Sequence, residues 1–160
     1  MDQITIDSIF KRFDESMPQK YVKKILDARI YDLALETPVE KAPLLSQRFN
    51  NNILLKREDL QPVFSFKVRG AYNKLRCLSD AQRSAGVIAA SAGNHAQGLA
   101  LAAKKMNVNA TIVMPVTTPE IKVDAVRSRG ANVVLIGDNY DAAATHANQL
   151  VQEQGLTYIH

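Results

Sequence analysis

A regular alternation of apolar strands and single helices most constrains the fold of this chain. Short runs rich in Val, Ile and Ala are separated by segments with helical periodicity, and glycine or proline stands near many boundaries. The strands predicted in this way lie at residues 53–57, 86–91, 110–115, 132–137 and 157–160. Strands of this kind joined by single helices indicate βαβ units, with helices covering both faces of a parallel sheet. The sequence therefore predicts an α/β fold.

The segments between these strands have the features of helices. Their predicted ranges are 65–78, 94–106, 119–128 and 140–154. Ser65 is the predicted N-cap of the first helix, and Gly155 suits the end of the last one. Each helix is long enough to connect two parallel strands.

The first third of the chain lacks this alternation. The spacing of apolar residues is loosely helical over 4–16 and more clearly helical over 21–33, and residues 42–45 are predicted to be extended. We interpret residues 1–52 as an N-terminal helical arm belonging to a larger catalytic domain, and residues 53–160 as a small three-layer α/β/α domain.

Composition excludes several classes of protein. The 160 residues, 46% hydrophobic and 22% charged, are sufficient for one globular domain with a core. The net charge of +4 is spread out, with no basic run interleaved with aromatics, so nucleic-acid binding is not expected. No apolar run reaches the roughly 18 residues of a membrane span, and residues 1–5 do not resemble a secretory signal. With Cys77 as the single cysteine, we predict a cytoplasmic protein.

The loops after the predicted strands are where a parallel sheet binds its ligands. They cover residues 58–66, 91–94, 115–118 and 137–140. The first two contain or adjoin the unusual residues, so the functional site is predicted there.

The turn from Ser91 to His95 is the first candidate. Small residues between a strand and a helix leave backbone N–H groups exposed at a helix N-terminus, which favours a carboxylate or a phosphate. The turn matches neither the dinucleotide-binding fingerprint nor the P-loop. The alternative is a tight connection in which Asn94 caps the helix.

Lys67 is the second candidate. It follows Phe66 where a loop becomes a helix, which would place it at the ligand edge of the sheet. A lysine partly removed from water there would be a good amine nucleophile for an aldehyde. The alternative is an ordinary solvated lysine on a helix.

The other chemically active side chains favour simpler roles. For His95 we favour a packing role that holds the turn. His146 and His160 have no partners at metal-ligand spacing, so no metal site is predicted. Glu58 and Asp59 are adjacent carboxylates in a loop, where such residues more often order a turn than act as an acid and base.

Two long motifs carry a family resemblance. The segment from Lys56 to Ala71 resembles the pyridoxal-phosphate attachment segment of the serine/threonine dehydratases, and Ser91 to Gly98 resembles their substrate- and cofactor-binding loop. Residues 113–115 and 121–127 are also similar to this family. The likeness extends from about residue 37 to the end, and residues 61–63 resemble the biosynthetic rather than the catabolic threonine dehydratases.

The resemblance implies fold type II pyridoxal-phosphate architecture. Lys67 would form the internal Schiff base and act as the base at the substrate α-carbon. Asn94 would hydrogen-bond the phenolic oxygen of the cofactor, pyridoxal 5'-phosphate, and Phe66 would pack near it. The substrate carboxylate would be held by the turn that comprises Ser91, Ala92, Gly93, Asn94 and His95.

The reaction implied by the resemblance is dehydration and deamination of L-threonine to 2-oxobutanoate and ammonia, a step of isoleucine biosynthesis. The full-length parent protein is expected to be a homo-oligomer. A serine dehydratase or a serine racemase-like enzyme is the first alternative. Racemase-like members have a serine where this chain has Ala92, so dehydration without racemisation is expected. The second alternative is a non-catalytic α/β binding domain.

One feature of the family is absent from the 160 residues. They contain no glycine-rich run of the kind that holds the cofactor phosphate in this family. We therefore expect an N-terminal fragment that lacks the remainder of the catalytic domain and the regulatory domain. On its own it is expected to bind the cofactor weakly and to turn over poorly.

Overall fold

The computed structural model describes residues 17–160, so the predicted helical spacing over 4–16 lies outside the described residues. Two short 3-10 turns occur at Ile30–Asp32 and Glu58–Leu60. The helices and strands follow one another along this part of the chain as α1 (Met17–Asp27), β1 (Val39–Lys41), α2 (Pro43–Arg48), β2 (Leu54–Lys56), α3 (Lys67–Arg76), α4 (Asp80–Ala85), β3 (Val87–Ala90), α5 (Asn94–Met106), β4 (Ala110–Met114), α6 (Glu120–Arg127), β5 (Asn132–Leu135), α7 (Tyr140–Gln154) and β6 (Thr157–Tyr158).

Four strands form one parallel sheet. Their order is β5–β4–β3–β6, and every neighbouring pair is parallel. Val87 at the start of β3 is opposite Ala110 on one side and Thr157 on the other. The predicted α/β class with a parallel sheet is confirmed.

Helices cover both faces of this sheet. Val87 and Ala89 of β3 pack into a core cluster with residues of α3, α5 and α6. Ile88 and Ala90, which point to the opposite face because side chains alternate along a strand, pack with residues of α7. The four residues of β3 are buried, as expected for a central strand of a parallel sheet. The parallel sheet and the helices on its two faces therefore form the predicted three layers.

The order of the strands creates a switch point in the sheet. The chain moves outward from β3 through β4 to β5, with α5 and α6 on one face. It then returns along the other face through α7 and places β6 on the free side of β3. A crevice forms at the carboxyl end of a sheet where the direction of winding reverses, and ligands bind there in open α/β folds. In this molecule that position is between the ends of β3 and β6.

The predicted strand at residues 53–57 is not part of the parallel sheet. Its observed counterpart, β2, pairs antiparallel with β1 in a separate two-stranded sheet, with Val39 opposite Lys56. The side chains of β2 are exposed, whereas a strand inside the parallel sheet would be buried. A short apolar run does not reveal its pairing partner, which is why the prediction was wrong. The division between residues 52 and 53 stays a prediction, and β1 and β2 are hydrogen bonded across it.

The predictions for the N-terminal third were partly wrong. The single helix expected over 21–33 ends at Asp27, and its apolar stripe is exposed within the described residues, so no core packing extends it. Residues 42–45 were predicted to be extended, but residues 43–45 belong to α2 and Ala42 is its N-cap. Pro43 stands in the first turn of α2, where its missing N–H costs nothing.

Helix α4 was not predicted, although its signal is present in the sequence. The hydroxyl of Ser79 accepts a hydrogen bond from the N–H of Gln82, and the Gln82 side chain accepts one from the N–H of Ser79. This reciprocal pair is the capping box that the pattern Ser-x-x-Gln indicates. The longer helices agree with prediction: α5 and α7 have the expected bounds, and Gly155 ends α7 in the left-handed conformation.

Candidate active site

Two open clefts lie at the switch point of the sheet. One, of about 270 Å³, contains Lys67 and Phe66, and the other, of about 280 Å³, contains Ser91. The residues common to both clefts are His95, Ile159 and His160, which follow the carboxyl ends of β3 and β6. The two predicted loops therefore lie on adjoining clefts at one edge of the sheet.

The hydroxyl of Ser91 organises the turn after β3. It accepts hydrogen bonds of 3.3 Å from the N–H groups of Gly93 and Ala96. Gly93 occupies the N-cap position of α5 without a side-chain cap, so the alternative in which Asn94 caps the helix is wrong. Within residues 17–160, the N–H groups of Asn94 and His95 have no hydrogen-bond acceptor. Free N–H groups at a helix N-terminus are suited to an anion.

His95 connects this turn to β6. Its Nε2 lies 3.1 Å from the carbonyl oxygen of Ile159, so this ring nitrogen donates the hydrogen bond. The bond joins residues 64 positions apart in the sequence, on the two sides of the switch point. His95 therefore holds the turn, the role that we favoured from the sequence.

Lys67 is the first residue of α3. The N-cap of α3 is Phe66, and not Ser65 as was predicted. The Ser65 hydroxyl nevertheless accepts a hydrogen bond of 3.4 Å from the N–H of Lys67. The Nζ atom of Lys67 lies 5.5 Å from the centroid of the Phe66 ring, within cation–π range. The Lys67 side chain is exposed, so the partial removal from water expected from the sequence is not found in residues 17–160.

Lys67 reaches the edge of the sheet through helix packing. Helices α3 and α5 pack closely, and Gly98 of α5 lies against the backbone of Lys67 and Val68. A Cβ at position 98 would stand 3.1 Å from the carbonyl carbon of Lys67 and from the nitrogen of Val68. The start of α3 is thereby fixed against the helix that follows the Ser91 turn.

A largely buried ion pair anchors the loop that leads to Lys67. The carboxylate of Glu58 accepts two bonds of 2.8 Å from Arg69, one of 2.6 Å from the Thr37 hydroxyl and one of 3.2 Å from Gln61. The hydrogen bonds from Arg69 are the main cause that lowers the pKa of Glu58 from 4.5 to about 2. This carboxylate therefore stays charged in neutral and mildly acidic solution.

The same network joins the loop to the segment that precedes β1. The side chain of Gln61, only 1% exposed, accepts from the Leu35 N–H at 2.9 Å and donates to the Leu35 carbonyl at 2.8 Å. Arg69 also donates to that carbonyl, at 3.1 Å. The neighbouring Asp59 pairs with Arg57 instead. Both carboxylates thus order the loop, as the sequence favoured.

Phe64 stands in this loop in the left-handed region, with φ of 56°. Its N–H donates to the Gln61 carbonyl at 2.7 Å, which closes the turn, while its side chain is 74% exposed. A non-glycine residue there costs about 1 kcal/mol or more. The strain lies three residues before Lys67.

Phe64→Gly is expected to raise the free energy of unfolding by about 0.5 to 1 kcal/mol, because glycine adopts positive φ without a steric cost. Phe64→Val is expected to lower it by about 1 kcal/mol, since a β-branched residue fits this region poorly. Urea unfolding of the two variants beside the wild type provides the measurement. Equal stabilities for the glycine and valine variants would contradict the assigned turn.

The structure brings together some of the predicted site residues and not others. Lys67, Phe66 and His95 line the first cleft, and Ser91 and His95 line the second. The remaining predicted residues of the turn, which line neither cleft, are Ala92, Gly93 and Asn94. The roles of all these residues in binding stay predictions.

Sequence reasoning missed the contributions of Gly98, Ile159 and His160. Gly98 carried a usable signal, because a glycine inside an alanine-rich helix often marks a close approach of backbone. Nothing in the sequence indicates that the carbonyl of Ile159 would meet His95.

Metal-ligand groups and membrane-spanning helices are both absent from the described residues. No group of three or more His, Cys, Asp or Glu side chains suited to a metal ion occurs in residues 17–160. None of the helices in that range is long and apolar enough to span a membrane.

Comparison with known proteins identifies the class. The profile of the family described as "Pyridoxal-phosphate dependent enzyme" matches residues 30–160, so the chain belongs to this family. It is similar to threonine dehydratase 1, biosynthetic and chloroplastic, of Solanum lycopersicum, with 54% identity over 140 residues. It is also 54% identical over 143 residues to the biosynthetic L-threonine dehydratase of Burkholderia multivorans.

Solved structures agree with these relatives. The processed form of threonine deaminase isoform 2 from Solanum lycopersicum superimposes with a TM-score of 0.87 at 52% identity, over 92% of this chain and 43% of that one. Maize serine racemase superimposes with a TM-score of 0.82 at 32% identity, over 87% and 43% of the two chains. The predicted family and fold type are confirmed.

The chain is shorter than these relatives. The matches cover 88% of this chain, but only 23% of the tomato enzyme and 28% of the Burkholderia enzyme. The chain thus spans about a quarter of the length of the curated relatives that it matches.

Proposed function

We propose that this chain is part of a threonine dehydratase, which converts L-threonine to 2-oxobutanoate and ammonia with pyridoxal phosphate. The observation that carries the proposal is the position of Lys67, which lines a cleft at the switch point together with His95, a residue of the turn with free N–H groups. The names of the relatives support the substrate.

The residues at this edge fit the cofactor and an amino acid. The exposed amine of Lys67 can join an aldehyde, and the Phe66 ring beside it offers an apolar surface. Asn94, the first residue of α5, would hydrogen-bond the phenolic oxygen. When bound, pyridoxal phosphate supplies an electron sink for the carbanion at the substrate α-carbon.

The residues of the chain would orient the substrate and move one proton. The N–H groups of Asn94 and His95 would bind the substrate carboxylate, which the helix N-terminus stabilises. The Ser91 hydroxyl, by accepting from Gly93 and Ala96, would keep those N–H groups directed at the carboxylate. The Nζ of Lys67, once free, would take the proton from the α-carbon, after which the β-hydroxyl leaves.

A serine racemase-like activity is the second candidate, since maize serine racemase shares the fold at 32% identity. Ala92 argues against it, because its side chain has no proton to deliver to the opposite face of the α-carbon. The family resemblance places a serine at this position in racemase-like members.

The test is a substrate comparison on the natural full-length protein loaded with pyridoxal phosphate. We expect 2-oxobutanoate from L-threonine, slower pyruvate formation from L-serine, and no interconversion of L- and D-serine. Chiral separation of serine and coupled assays for the two oxo acids provide the measurements. Racemisation that exceeds threonine turnover would overturn the proposal in favour of the second candidate.

The proposal extends to the oligomeric state, the cellular location and the cofactor affinity. We infer a homo-oligomer in the cytoplasm, although relatives bear the descriptions chloroplastic and mitochondrial. The 160 residues contain no glycine-rich run for the cofactor phosphate, so this polypeptide on its own is expected to bind the cofactor weakly.

A further inference from the structure

Lys67 is not placed at the sheet edge by a strand of the parallel sheet. The strand before it, β2, pairs with β1 in the separate antiparallel sheet. The packing of α3 against α5, which is the most extensive contact between elements in residues 17–160, therefore contributes directly to the position of Lys67 relative to the Ser91 turn.

At Gly98 the two helices approach closely. A Cβ there would be 3.1 Å from the Lys67 carbonyl carbon and the Val68 nitrogen, and 3.2 Å from the Lys67 carbonyl oxygen. Non-bonded carbon atoms normally stand about 3.5 to 4.0 Å apart. All three contacted atoms are backbone, so no side-chain rotation can relieve the contact, and one helix must move by a few tenths of an ångström.

Such a shift would act on the residues of the proposed site. Asn94 and His95 lie one turn before Gly98 on α5, and Lys67 is the contacted residue of α3. We propose that Gly98 is a positioning residue that sets the separation between the Lys67 amine and the turn from Ser91 to His95. This inference rests on the proposed function.

The test compares Gly98→Ala with the wild type in the natural full-length protein. Limiting pyridoxal phosphate is added after the resident cofactor has been removed, and borohydride follows. The lysine amine condenses with the aldehyde with loss of water, and hydride then reduces the C=N bond to a C–N bond. Lys74 lies two turns further along α3 in the same cleft and serves as the internal reference. Peptide mass spectrometry gives the ratio of label at Lys67 to label at Lys74.

We expect the wild type to label Lys67 far more than Lys74, and Gly98→Ala to lower that ratio about fivefold, since small misplacements of reacting groups cost rate steeply. Acetic anhydride, which needs no cofactor site, should acetylate Lys67 equally in both proteins. Ala103→Gly weakens the same helix while leaving the contact at position 98 intact, and it should keep the wild-type ratio.

Each outcome decides one claim. A wild-type ratio near one would overturn the proposed function, whatever Gly98→Ala does. A strong wild-type preference that Gly98→Ala retains would overturn only the inference about Gly98. If Gly98→Ala does not fold, the substitution is combined with Asn107→Gly in a double variant. Residue 107 ends α5 in the left-handed conformation, which glycine favours, so Asn107→Gly should stabilise the helix. If that protein also fails to fold while Ala103→Gly folds, Gly98 is required for the fold itself, and the positioning role is rejected.

Discussion

Lys67→Ala is expected to abolish the visible absorbance of the bound cofactor and to lower kcat/KM for L-threonine by about 1,000-fold or more in the full-length protein. The substitution removes both the amine that would join the aldehyde and the base at the α-carbon. A positioned acid or base alone contributes about 100- to 10,000-fold, and the loss of the covalent link adds to this. Cofactor absorbance and 2-oxobutanoate formation are the two measurements.

Lys104→Ala provides the matched control for Lys67→Ala. Lys104 is an exposed lysine in the last turn of α5, at the opposite end of that helix from the turn. Its replacement should change neither the absorbance nor the rate. Addition of methylamine to Lys67→Ala should restore part of the rate, because a free amine can replace the missing base. Unchanged absorbance in Lys67→Ala would favour the alternative of a non-catalytic binding domain.

The sequence predicted the parallel sheet because its signals are local. The buried strands β3 and β4 are short apolar runs, and α5 and α7 have long periodic patterns, so each could be identified from adjacent residues. The partner of β2 could not be identified in this way. Strand β2 pairs with β1, whose residues lie about 15 positions earlier in the chain. The side chains of β2 are exposed, and nothing in their pattern identifies β1 as the partner strand.

The candidate site likewise has local features that the sequence could predict and non-local features that it could not. The motifs around Lys67 and Ser91 are local and could be recognised from the residues alone. How they come together depends on non-local contacts, namely Gly98 against the Lys67 backbone and His95 with the Ile159 carbonyl. Contacts between residues so far apart in the sequence leave no periodic pattern. The sequence could therefore suggest which residues are important, but not which residues contact each other.

The network around Glu58 is a second non-local feature, and it gives the largest expected effect on stability. Glu58→Gln is expected to lower the free energy of unfolding by about 2 to 3 kcal/mol, because it removes charge-assisted hydrogen bonds and leaves Arg69 without its counter-charge. The side chains of Glu58 and Arg69 are 15% and 20% exposed, so water compensates only in part. Urea unfolding at pH 7 measures the difference.

Asp59→Asn is the matched control for Glu58→Gln. Asp59 is the adjacent carboxylate in the same loop and also pairs with an arginine, but its side chain is 58% exposed. Exposed pairs of this kind contribute less than about 1 kcal/mol, so this variant should remain close to the wild type. Equal losses in the two variants would show that charge in the loop matters and the buried network does not.

The pH dependence separates the network from a simple packing effect. The pKa of Glu58 is about 2 in the folded chain and near 4.5 when unperturbed, so the unfolded chain takes up the proton first as the pH falls. The stabilisation by Glu58 is therefore complete above about pH 4.5 and is lost progressively between pH 4.5 and pH 2. Over that interval the wild type should lose stability faster than Glu58→Gln, and the two curves should converge near pH 2. A constant difference from pH 7 to pH 2 would mean that the loss in Glu58→Gln comes from altered packing, because a packing defect does not titrate with the carboxylate.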